Sequence, residues 1–170
     1  MPALRFLERK DVPMSFPVLF LCFLIGCVAG LRSMMAPAIV CAAAYLQWVH
    51  LEGTPLAFMT SKLTLSLFTL FAICELIVDK LPQTPSRTAP VGLIARALTG
   101  GLSGAALAAS GGKSLMVGAL LGAVAGVAGA FAGYQIRHGL VTQMNLPDFV
   151  VAVVEDLLAI SGGLFVVSRM

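Results

Sequence analysis

The sequence predicts an all-α integral membrane protein of about six transmembrane or re-entrant helices in one domain, and three observations carry that prediction. Of the 170 residues, 59% are hydrophobic and 11% charged, with a mean hydropathy of +0.97, whereas an ordinary soluble domain is roughly a quarter charged. The apolar residues fall into helix-length runs interrupted by glycine, proline and charge. The second half of the chain can also be laid over the first, as an inverted 3+3 repeat. A bilayer crossing takes about 20 apolar residues, so the helices fill the chain and leave no room for a separate soluble domain. The net charge of +3 is too small to point to nucleic acid. Most basic residues stand at segment ends, where they meet headgroups or water and act as topology anchors.

Met1 to Ser15 is short and mixed in charge, and reads as a headgroup-level lead-in. Leu24-Ile25-Gly26-Cys27 matches a lipoprotein cleavage pattern, but apolar character continues through Leu31 and favours a membrane segment. Phe16 to Leu31 and Met34 to Trp48 form the first two segments, separated by Gly30-Leu31-Arg32-Ser33. Both are short for a full crossing. Short segments broken around a charge are what re-entrant helices look like, tolerated where they pack within protein or line a cavity. Tyr45 and Trp48 mark an interface belt. Cys22, Cys27, Cys41 and Cys74 lie in apolar segments without CxxC spacing, so they read as buried small hydrophobes.

The third segment, Leu63 to Leu81, carries Glu75 and Asp79 near its end, four residues apart and therefore on one helical face. Pro82, Pro85 and Pro90 are expected to stop it and to define a central loop over 82–96, where Lys80, Arg87 and Arg96 are candidates for holding an anionic headgroup. The fourth segment, Ala97 to Ser110, and the fifth, Ser114 to Ile136, carry small residues spaced by four: Gly100, Gly104 and Ala108, then Gly118, Gly122, Gly126 and Ala130. Such rows let helix backbones approach closely in lipid, within the molecule or at an oligomer seam. Gly111-Gly112-Lys113-Ser114 lacks the earlier glycine of a phosphate loop, Leu107 standing in its place, so it reads as a tight interhelical turn. Arg137 and His138 end the fifth segment, and the sixth, Phe149 to Val167, holds Glu155 and Asp156 well inside it. A carboxylate at a helix centre costs about 2.5 to 3.5 kcal/mol on an insertion scale. Such residues face a cavity or a partner and are functional candidates by default.

At an offset of 81, Gly30-Leu31-Arg32-Ser33-Met34-Met35 aligns with Gly111-Gly112-Lys113-Ser114-Leu115-Met116, and at an offset of 80 Glu75 meets Glu155. The repeats then run over about 16–82 and 97–168. Three segments per repeat place the halves in opposite senses, with polar sites where they meet. Glu75 and Glu155 should lie at similar depth and share a proton or an intervening arginine, Arg32 or Arg137. The intramembrane polar site expected from these patterns is Arg32, Glu75, Asp79, Glu155, Asp156 and Arg137.

Gly30-Leu31-Arg32 leading to Ala36-Pro37, the run Glu75-Leu76-Ile77-Val78-Asp79-Lys80-Leu81-Pro82, and the Gly/Ala-rich segments that follow resemble a family of small bacterial membrane proteins, domain of unknown function 4126. The resemblance covers nearly the whole chain and implies a multi-pass protein, expected in the bacterial inner membrane, without an activity to carry over. From the residues themselves, a transporter or channel-like protein is one reading, with a small ion or proton as substrate. A lipid-binding or assembly scaffold is the other, with membrane lipids and a second copy of the chain as partners. Two carboxylate pairs could in principle serve acid/base or metal chemistry. Without a nucleophile and base, zinc spacing or a complete phosphotransferase motif, the expectation is no enzyme, no cofactor and no metal.

Overall fold

The structure, a computed structural model, describes residues 17–79 and 89–170. Among them are six α-helices, α1 (Val18–Leu31), α2 (Met35–Tyr45), α3 (Lys62–Val78), α4 (Pro90–Ser110), α5 (Leu115–Thr142) and α6 (Asp148–Val167), with a 3-10 turn at Ala57–Thr60. The described residues contain no strand. Helices α4, α5 and α6 are long and apolar enough to cross a membrane. At 1.5 Å per residue, the 14 residues of α1 span about 21 Å and the 11 of α2 about 16 Å, short of the ~30 Å hydrocarbon core.

Contacts between helices set their directions. Gly26 of α1 lies against Gly122 and Ala125 of α5, and Gly30 against Gly126 and Gly129, so α1 and α5 run parallel. Helix α4 runs against both, since Gly100 meets Gly122 and Ala29, Gly104 meets Gly118, and Gly111 meets Val18. Helix α2 turns back on α1: beyond its end, the His50 amide donates to Ser110 Oγ at 2.9 Å, on the side where α1 begins. The α1–α2 unit is therefore a helical hairpin whose turn, Arg32 to Met34, is inside the protein. Helix α3 runs against α2, with Lys62 over the Tyr45 ring at one end and Glu75 against Ser33 at the other. Helix α6 runs against α1, pairing Asp156 with Arg32 and placing Gly162 near Val28.

The centre of the bundle is α1 packed on α4 and α5. Adding a Cβ to Gly122 would drive it into the Gly100 carbonyl oxygen, and one on Gly104 into that of Gly118. The two small-residue rows thus face each other and let backbones touch. Around this seam a core forms from Leu21, Cys22, Ile25, Ile39, Val40, Cys41, Leu107 and their neighbours. Many leucine, isoleucine and valine side chains on α3, α5 and α6 are exposed, as a lipid-facing surface requires.

Three of the boundaries that differ from the sequence reading do so for a local reason. Pro90 begins α4 instead of extending the central loop, because proline at the first helical position gives up an N–H that the helix would not have used. Arg96 is consequently two turns into α4 and buried. Helix α5 continues past Arg137 to Thr142, because Arg137 finds acidic partners and Gly139 stands in open space. Helix α2 stops at Tyr45, earlier than Trp48, because Gln47 adopts φ +62° and Trp48 N returns to Ala43 O at 2.8 Å. Gly111 to Ser114 is an interhelical turn with Gly112 at φ +64°. Cys27 lies inside α1, and Cys74 is exposed on α3, unlike the buried Cys22 and Cys41.

Candidate functional site

Arg32 ends α1 in extended conformation and closes the helix by donating its amide to Val28 O at 2.9 Å. Its side chain is 0% exposed. The guanidinium pairs with Asp79 at the end of α3, and its Nε lies 2.6 Å from Asp156 Oδ1 on α6. A fully buried guanidinium is tolerated only where opposite charge surrounds it, since desolvating each ion costs several kcal/mol. Two separate helices, α3 and α6, converge here to supply that charge.

One residue further along, the chain enters α2 through Ser33 and Met34, whose amides are not satisfied by the helix. Glu75 of α3 satisfies them from outside. Its Oε1 accepts from Ser33 N at 2.8 Å and Ser33 Oγ at 2.7 Å, and its Oε2 from Met34 N at 2.8 Å. The carboxylate thus caps α2 at its positive end, where the helix dipole favours an anion.

On the other flank, Arg137 of α5 reaches α6. It holds Asp148 with two bonds, Nε to Oδ1 at 2.9 Å and Nη2 to Oδ2 at 2.7 Å, and its Nη1 is 3.3 Å from Glu155 Oε2. Glu155 and Asp156 are consecutive, so one turn of α6 presents carboxylates to both arginines. Exposure is lowest at Arg32, at 0%, stays near 10% at the Asp156 and Glu155 side chains, and rises through Arg137 at 18% to Asp148 at 62%.

The structure brings Arg32, Asp79 and Asp156 into one cluster, sets Glu75 beside it on the α2 amides, and sets Arg137 with Glu155. Glu75 and Glu155, expected to share one partner, have different ones; Arg32 instead joins the acids next to them in sequence or one turn along. Arg96, expected in the central loop, turns inward and donates from Nε to Gly30 O at 3.0 Å and from Nη1 to Gly92 O at 3.0 Å, tying α4 to the end of α1. Lys80 and Arg87 lie outside the described residues. Ser33, Met34 N and Asp148 are contributors the sequence reading missed. Ser33, just ahead of a helix start, carries a capping signal that could have revealed it. Among the described residues no group of three His, Cys, Asp or Glu is arranged to hold a metal ion.

These features define a helical membrane protein with a buried charge cluster at the turn of a hairpin. A family model, domain of unknown function 4126, matches residues 19–168, and the chain belongs to that family. Comparison with curated proteins and with solved structures gives no match.

Proposed function

We propose that this protein is a small transporter or channel-like protein of the cytoplasmic membrane whose translocation site is the cluster of Arg32, Glu75, Asp79, Glu155, Asp156 and Arg137. The observation that carries the reading is the position of Arg32: a fully buried charge at the break between two short helices, faced by carboxylates from two others. Broken helices that place charge at membrane depth are a recurring construction of transport sites. The opposed directions of α1 and α4 support the inverted 3+3 repeat, as do those of α3 and α6. In this reading the substrate is a small ion or a proton, and the carboxylates of α3 and α6 exchange it while Arg32 balances their charge.

The same ties favour a second reading, a lipid-associated assembly scaffold, in that Arg32 and Glu75 cross-link helices as a structural network would. Flux separates the two. Purified protein in proteoliposomes, followed with ion and pH indicators, is expected to carry a flux above that of empty vesicles, and Asp156→Asn to abolish it while the protein stays folded. Flux indistinguishable from empty vesicles for every common monovalent ion and for protons would leave the scaffold.

A further inference from the structure

Helix α3 is attached to the rest of the molecule in two different ways along its length. Leu65, Phe68, Ala72 and Leu76 recur at three- and four-residue intervals and face the core, but only Ala72 is fully buried. Leu63, Leu67, Leu70, Phe71 and Ile77 on its other faces are exposed. Its packing partners are α2 and the 3-10 turn. Near its start, Ser61 Oγ caps the helix by accepting from Thr64 N at 3.1 Å, and Lys62 stands 5.9 Å from the Tyr45 ring centre. At its other end the attachment is polar: Glu75 on the amides of Ser33 and Met34, and Asp79 on Arg32.

Lipid changes the weight of these two attachments. Acyl chains are as apolar as leucine, so the apolar seam between α3 and α2 can be exchanged for lipid contacts at small cost. The hydrogen bonds from Ser33 and Met34 cannot be replaced by lipid tails. The polar end therefore decides whether α3 is closed. By contrast, α1, α4 and α5 interlock through backbone contacts at Gly26, Gly100 and Gly122.

We infer that α3 is a gate, hinged near Ser61 and latched by Glu75 and Asp79, whose opening bares Arg32 and the first turn of α2. The Glu75 carboxylate is the central piece of the latch because it takes three donors at once. An alanine there leaves the Ser33 and Met34 amides without their acceptor, and a glutamine turns a donor toward one of them. The inference rests on the transport reading only for the purpose of the open state; the motion itself stands without it.

Hydrogen–deuterium exchange of the full-length protein in lipid nanodiscs tests this directly, because the amides of Ser33 and Met34 are protected by Glu75 and not by helix backbone. Glu75→Ala is expected to speed exchange of the peptide covering residues 33–34 about tenfold or more, the low end for bonds to a charged acceptor, and that of α3 residues 70–78 with it, with α4 and α5 peptides unchanged. Ser33→Ala, which removes one bond and keeps both amides capped, should give a smaller rise in Met34 exchange. It also serves if Glu75→Ala does not fold. Unchanged exchange at residues 33–34 in both variants would overturn the gate, as would a rise confined to those two residues, which makes Glu75 a static cap, or an equal rise throughout α1, α4 and α5, which would make α3 part of one cooperative unit. Glu75-dependent exchange in a protein without flux would keep the gate and discard transport. Flux without such exchange would keep transport and discard the gate.

Discussion

Two regions of this bundle hold helices together by opposite means. Where α1, α4 and α5 meet, side chains are nearly absent: Gly26, Gly100, Gly104 and Gly122 place backbone against backbone, and dispersion over a close, wide contact does the holding. Where α3 and α6 meet the α1–α2 turn, buried charge is added to the apolar contacts, through Arg32, Asp79, Asp156 and Glu75. The first region tolerates no added atom. The second is sensitive to lost charge, because each ion there depends on its partner for solvation. The difference separates contacts that have one close-packed arrangement from contacts that water, a proton or another ion can replace.

Substitutions can break or sharpen that contrast. The largest effect is expected from Arg32→Met, which keeps bulk but removes the cation that Asp79 and Asp156 face. Breaking a buried pair typically costs about 3–5 kcal/mol, and thermal unfolding in detergent should register it as a large drop in midpoint. A change no greater than that of a surface variant would mean the cluster is already hydrated and the contrast overstated. Next comes Gly122→Ala, whose methyl group would strike the Gly100 carbonyl. Overpacking of this kind costs about 1–3 kcal/mol, and a wild-type midpoint would show that the seam is loose enough to breathe.

Arg137→Gln should matter less for stability than Arg32→Met although it too loses contact with two acids, because Asp148 is 62% exposed and water can take the place of that bond. About 1 kcal/mol or less is expected from the open Asp148 bond, with the buried Glu155 adding to it. A larger loss in the same melting assay would extend the buried cluster to this flank. The smallest effect is expected from Gly139→Ala, in the same helix as Gly122 but with nothing within 4 Å of an added Cβ. There the methyl group is expected to be neutral or to stabilise by up to about 1 kcal/mol through helix propensity. Opposite signs at Gly122 and Gly139 would show that packing, and not glycine content, sets the fit of α5.

Much of the candidate site was legible one residue at a time. Arg32, Glu75, Asp79, Glu155 and Asp156 stand out because charge is expensive in apolar surroundings, and that expense is a property of each residue. Pairing was not legible, because it depends on helix rotation. Asp79 and Asp156 reach Arg32, whereas the neighbouring Glu75 and Glu155 turn to Ser33 and Arg137. Along a helix one residue is a rotation of about 100°, enough to send consecutive carboxylates to different partners. Arg96 shows the same limit, since three prolines read as loop until one of them proves to be the first residue of α4.

By itself the sequence determined that this is a helical membrane protein, where its runs begin and end to within about three residues except at the start of α4 and the end of α5, and which polar residues must be sheltered, because hydropathy and the size of the bilayer act locally. Only the tertiary structure decided that α1 and α2 fold back as a hairpin with Arg32 inside, that the glycine rows of α4 and α5 face each other, and that Glu75 caps a helix 41 residues away. Those outcomes turn on which backbones can approach closely and which donors lack a partner. Both depend on the whole bundle being assembled.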